Sequence, residues 1–155
     1  MAPWNSYDNC QVFIRAWEAV IEEGRYLESA WTVKADPDTV WVPQRLRDYL
    51  GRSDASVRLV IRNQGGDYLG PLEVFSVAAV WDFANRHRVC MTDLDTTGED
   101  GWVSSCMFKL GATFQSERSL LKSGNDPGSC RSSPFIAHHP FKNVLAQRSC
   151  YDALR

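Results

Sequence analysis

Along residues 7–23 the apolar positions recur at helical spacing, with Phe13, Ala16, Trp17, Val20 and Ile21 on one side and Arg15, Glu18 and Glu22 on the other. This predicts an amphipathic helix, capped by Ser6 and stopped by Gly24. The period then shortens. Residues 30–35 and 39–42, parted by Asp36-Pro37-Asp38, read as strand, tight turn and strand. Pro43 suits a first helical turn, and Leu46, Tyr49 and Leu50 before Gly51 predict a short helix of about two turns.

From Val57 the period is two. Residues 57–62 alternate as a strand does, and Asn63-Gln64-Gly65-Gly66 supplies a turn that needs positive φ. The apolar stretch 68–83, interrupted by Gly70-Pro71, predicts a strand over 74–80. Asn85-Arg86-His87 turns the chain, and three further strands are expected at 88–93, 102–110 and 112–121, parted by the polar stretch 96–101 and by Gly111. Residues 123–134, rich in Gly, Ser and Pro, read as a loop. His139 as cap and Pro140 as first turn then open a last helix carrying Phe141, Val144, Leu145, Tyr151 and Leu154 on one side. Strands segregated between terminal helices imply a single α+β domain over residues 1–155. Its expected form is one central antiparallel sheet of about five to seven strands, with the N- and C-terminal helices packed together on one face and the short helix on the other.

Composition sharpens this. With 155 residues, 44% apolar and 23% charged, the chain can bury a core of its own. Its 17 basic and 19 acidic residues are well mixed, so no basic stripe is present to hold nucleic acid. No apolar run approaches the ~20 residues that span a bilayer, and the start lacks a basic-then-apolar leader pattern. A cytosolic location is the resulting expectation. The five cysteines, Cys10, Cys90, Cys106, Cys130 and Cys150, are odd in number and scattered without a C-x-x-C, which reads as free thiols.

Candidate chemistry is sparse. Cys130, His138 and His139 share one region, and a thiol near an imidazole is the minimum for a nucleophilic pair, here Cys130 with His138. No helix N-terminus follows Cys130 to depress its pKa, however. The same residues lack a fourth metal ligand at sensible spacing. Asp93, Asp95, Glu99 and Asp100 form an acidic stretch without the ligand order of a calcium loop, and read as solvated. His87, in a polar turn, reads as exposed. Neither cofactor nor metal is expected. Trp4 and Tyr7, three apart at a position that is ordinarily frayed and polar, must instead dock into a core or form a platform for a partner.

Several strings, in order, resemble the profilin family of small actin-monomer- and polyproline-binding proteins. They are Trp4-Asn5-x-Tyr7-x-x-Asn9, Asp38-Thr39-Val40-Trp41, Val42-Pro43-Gln44, Gly65-Gly66-x-Tyr68, Met91-Thr92-Asp93-Leu94 and Cys150-Tyr151-Asp152. Residues 96–103 and 129–138 look like insertions relative to that family, and Leu72-Glu73 stands where members carry a basic position after the glycine pair. The resemblance implies a groove of Trp4, Tyr7, Trp41, Tyr151 and Leu154 for proline-rich segments, and an actin face that includes Arg148 and Asp152. It also implies phosphoinositide head groups as ligands. Polyproline II is extended without internal hydrogen bonds, so flat aromatic walls and a few N–H and O–H donors suffice to bind it. The competing readings are aromatics that merely fill a core, a small enzyme using Cys130 and His138, and an interaction scaffold of another kind.

Overall fold

Gly24, at φ 69°, ends the first helix where the pattern says it should, because this left-handed conformation is the one glycine adopts without strain. The structure is a computed structural model that describes residues 6–63, 70–91 and 98–155, with side chains from Cys10 onward. Among these residues it has five α-helices and seven strands. They run α1 (Ser6–Glu23), β1 (Trp31–Ala35), β2 (Val40–Trp41), α2 (Pro43–Leu50), β3 (Leu59–Asn63), β4 (Leu72–Ser76), α3 (Val77–Arg86), α4 (Gly98–Lys109), β5 (Thr113–Glu117), β6 (Leu121–Ser123), β7 (Ala137–His139) and α5 (Val144–Leu154). The strands form two sheets, ordered β1-β4-β3-β5 and β2-β7-β6. The expected single sheet of five to seven antiparallel strands is therefore corrected: β2 pairs antiparallel with β7, and β6 pairs parallel with it. The expected hairpin at Asp36-Pro37-Asp38 is corrected as well, since β1 neighbours β4 while β2 neighbours β7. The turn itself forms, held by Thr39 N–H donating to Asp36 O at 3.0 Å and by Thr39 Oγ1 donating to Pro71 O at 2.9 Å.

The chain divides into two compact units, residues 1–32, 55–60 and 74–115 in one and residues 33–54, 61–73 and 116–155 in the other. In the first, α1 packs on α4. Cys10, Ile14 and Trp17 form its buried stripe, so the helix is rotated from the predicted face and Ala16 points to solvent. The indole of Trp17 meets Phe75 and Phe83 edge-on, each at 5.4 Å, and Phe83 meets Trp102 edge-on at 5.9 Å. Trp17 Nε1–H donates to Glu99 Oε1 at 3.2 Å and Trp102 Nε1–H to Cys90 O at 3.1 Å, so both buried indoles satisfy their one donor.

Of the strands predicted in this unit, one becomes a helix midway and another is helical. The stretch expected to be extended over 74–80 leaves β4 at Ser76, whose hydroxyl accepts from Leu59 N and Ala79 N and donates to Val57 O. That hydroxyl caps α3 and closes its own hydrogen-bond inventory in one stroke. Residues 102–110 lie in or just past α4, whose buried Trp102, Val103, Cys106 and Met107 repeat at helical spacing. Its end is a glycine cap, Gly111 at φ 81°, with Ala112 N–H reaching back to Met107 O at 2.9 Å. The strand expected at 88–93 is instead a 3-10 turn over His87–Cys90, with 92–93 outside the described residues.

In the second unit, Val40, Cys130, Phe141, Cys150 and Leu154 form a small apolar core. The last helix starts later than expected: His139 belongs to β7, and the cap is Asn143, whose Oδ1 accepts from Leu145 N and Ala146 N. Arg45 of α2 donates to Ser133 O, Phe135 O and Leu154 O at 2.7–2.8 Å, tying the short helix to the last turn of α5. The terminal helices were expected to pack as a pair. Each finds its main partner inside its own unit, α4 for α1, and β2 with the 3-10 turn Pro127–Cys130 for α5. Among the described residues no helix is long and apolar enough to cross a membrane.

Candidate functional site

Strand alternation sends Val40 into the core and leaves Trp41 on the opposite face, half-buried. On α5 the helical repeat does the same sorting. Cys150 and Leu154, four apart, are buried, while Val144, Gln147, Arg148 and Tyr151 lie together on another face. These four, with Thr39, Val40 and Trp41, line a groove of about 350 Å³. Val144 is 76% exposed and Tyr151 41% exposed, both high for apolar or aromatic side chains. Gln147 is held in place by donating from Nε2 to Pro37 O at 2.7 Å, and the Arg155 guanidinium stands 5.6 Å from the centre of the Tyr151 ring.

Three of the predicted site residues, Trp41, Tyr151 and Arg148, thus meet in one groove. Leu154 does not. It is 4% exposed and packs with the Cys130–Cys150 pair, because it shares the inward stripe of α5 with Cys150. Asp152 is exposed and lies 4.0 Å from Arg148 across one helical turn. Trp4 lies outside the described residues, and Tyr7 is in α1 with its side chain outside them. Val144 and Gln147 were not anticipated as lining residues, although the spacing 144, 148, 151 on an exposed face was readable.

The free-thiol reading is overturned for four of the five cysteines. Cys90 pairs with Cys106 and Cys130 with Cys150, their Cα atoms 5.5 and 5.3 Å apart, while Cys10 stays free and buried. Both distances lie inside the range a disulfide needs. The proposed Cys130/His138 nucleophile pair is corrected with it, since the Cys130 sulfur is bonded to Cys150. His138 is fully buried, its Nε2 2.8 Å from Ser133 Oγ. Burial, with the charges of Arg45 and Lys122, pushes its pKa down and keeps the imidazole neutral. Glu99, read as solvated, is 2% exposed and bonded to Trp17. His87, read as exposed, is half-buried against Phe83 and 3.2 Å from its carbonyl.

Asp38, at the foot of the groove's strand, makes contact with His139 Nε2 at 3.4 Å and with the Lys142 ammonium. Burial alone would raise its pKa, but the hydrogen bond from Lys142 and the His139 and Lys142 charges outweigh it and hold the carboxyl below its ordinary 3.8. A depressed carboxyl stabilises the fold above its unfolded pKa and loses that contribution as pH falls through the folded value. Asp38→Asn should therefore cost at most about 1 kcal/mol at neutral pH, since Lys142 is largely exposed, and less at an acidic pH below the ordinary carboxyl value. Urea unfolding at the two pH values checks this; an equal cost at both would assign the effect to lost packing instead.

No family model matches the chain, and no curated protein matches it.

Proposed function

We propose that this chain is a binding module rather than an enzyme, and that the groove between β2 and α5 takes an extended, proline-rich segment. The observation that carries this is the convergence of Trp41 and Tyr151 with Gln147 and Arg148 along one open groove. Aromatic walls accept proline rings, and indole N–H, phenol O–H, amide and guanidinium groups donate to the carbonyls that a polyproline II segment leaves unpaired. Another surface groove, lined by Glu18, Ile21, Glu22, His87, Arg88 and Met91, has no tryptophan or tyrosine wall. Monomeric actin, the second partner implied by the profilin resemblance, would engage Arg148, which already lines the peptide groove. The two disulfides are typical of chains that fold in oxidising compartments, and this favours a proline-rich partner over cytosolic actin.

The test is a titration with a decaproline peptide read by calorimetry, which is blind to the other five tryptophans. Trp41→Ala and Tyr151→Ala should each weaken binding about tenfold, equivalent to ~1.4 kcal/mol for an aromatic anchor. Trp81→Ala, an exposed tryptophan on α3, should leave it unchanged. Binding insensitive to both groove substitutions, or no binding at millimolar peptide, rejects the reading.

A further inference from the structure

Beneath the groove lies a second cluster that peptide binding does not use. Cys130, Cys150 and His138 are all fully buried, and the two sulfurs and a ring nitrogen of His138 lie within 4.8 Å of one another. The imidazole is half satisfied. Nε2 is engaged with Ser133 Oγ at 2.8 Å, whereas Nδ1 is buried with no hydrogen-bond partner. A buried polar nitrogen left unpaired costs about 1–3 kcal/mol, so its retention beside two sulfurs calls for a role. With Nε2–H donating to Ser133, Nδ1 carries a bare lone pair, and histidines that ligate metals commonly make this same second bond to an oxygen acceptor.

We propose that, when the Cys130–Cys150 bond is reduced, Cys130, Cys150 and His138 Nδ1 bind one Zn²⁺ ion, so that this pocket has two alternative closed forms, a disulfide and a metal site. Two thiolates and a neutral imidazole are the donor types that zinc takes, and they cancel its charge, which suits a site walled off from water. These three side chains supply three of the four tetrahedral positions. The chemistry balances in two steps. A dithiol reductant gives two electrons and two protons to the Cys130–Cys150 bond and becomes a disulfide itself; Zn²⁺ then displaces the two thiol protons to solvent. The sulfurs must separate to about 3.8 Å, the edge of a tetrahedron with Zn–S bonds near ~2.3 Å.

Two neighbouring features sharpen the assignment. Asp36, Asp38 and His139 also cluster within 4.8 Å, but Lys34 stands 3.1 Å from Asp36 and Lys142 pairs with Asp38, so that set is already neutralised by cations. The Cys90–Cys106 pair has no histidine or carboxylate completing such a cluster among the described residues. It serves as an internal control.

The experiment is a Co²⁺ and Zn²⁺ titration of the full chain, oxidised and then reduced with a phosphine, followed by absorption and circular dichroism. The reduced protein should take up one equivalent of Co²⁺ with thiolate-to-cobalt charge-transfer and tetrahedral d–d bands, which Zn²⁺ bleaches. The oxidised protein should show none. Cys150→Ser and His138→Ala should each weaken uptake more than about tenfold, whereas Cys90→Ser should not change it. Should reduction unfold the chain, one equivalent of Zn²⁺ restoring the native dichroism supports the site, since metal binding and folding are then coupled. No cobalt spectrum together with no zinc-induced refolding overturns it, and so does a spectrum that survives either substitution. The peptide titration described above does not enter this test, so the two readings fail separately.

Discussion

Replacing Cys130 and Cys150 together by alanine is expected to lower the unfolding free energy under non-reducing conditions by about 3 kcal/mol. The cross-link spans a sequence separation of 20 and joins the 3-10 turn Pro127–Cys130 to α5. It constrains the unfolded chain and holds in place the helix that supplies one wall of the groove. At this chain length the loss corresponds to a fall of roughly 6–12 °C in Tm. Urea unfolding and a thermal melt check it, and a reductant added to the unaltered protein should cause at least this loss, since it also opens Cys90–Cys106. Peptide affinity should fall in parallel, because α5 carries Tyr151 and Arg148. In the denatured but unreduced protein, alkylation should label Cys10 alone. Labelling of all five cysteines would refute the pairing.

Phe83→Ala should cost about 3–5 kcal/mol, the range for removing a fully buried ring from a core that cannot collapse around the gap. Phe83 is wholly buried and stacks against Trp17, Trp102 and His87, with centroids 5.3–5.9 Å away. The edge-on contacts add a further increment beyond the buried area, which Phe83→Leu would also forfeit while filling most of the volume. The leucine variant should therefore lose about half as much or less. Near-ultraviolet dichroism is the second readout, since Trp17 and Trp102 would lose their fixed neighbour. A Phe83→Ala protein with unchanged stability would mean that this aromatic cluster is not the core of its unit.

Some of this was legible from local pattern. Residues 6–23 and 43–50 are helices because their apolar spacing, Gly24, Pro43 and Gly51 agree with one another. Residues 102–110 carried the same kind of signal. Trp102, Val103, Cys106, Met107 and Leu110 repeat at three to four residues, but aromatic and β-branched content pointed to a strand, and the period was the better guide. The run 72–83 was ambiguous for a physical reason. A strand buried on both faces and a buried helix are both continuously apolar, and only Ser76 followed by Ala78-Ala79 marks the change.

The candidate site divides the same way. Trp41 and Tyr151 were nominated through the profilin-like strings Asp38-Thr39-Val40-Trp41 and Cys150-Tyr151-Asp152, and the structure shows Val40 and Cys150 beside them turned inward. That these two rings share a groove depends on β2 pairing with β7 and on α5 packing over β2, contacts between segments far apart in the chain.

By itself the sequence determined where the chain is helical at its two ends and in α2, since spacing, caps and glycine stops act over a few residues. The tertiary structure alone decided that the strands split into two sheets, that Leu154 turns inward, and that four cysteines pair with His138 beside one pair. Register and thiol proximity are set by long-range packing, and separations of 16 and 20 residues leave no local trace of it.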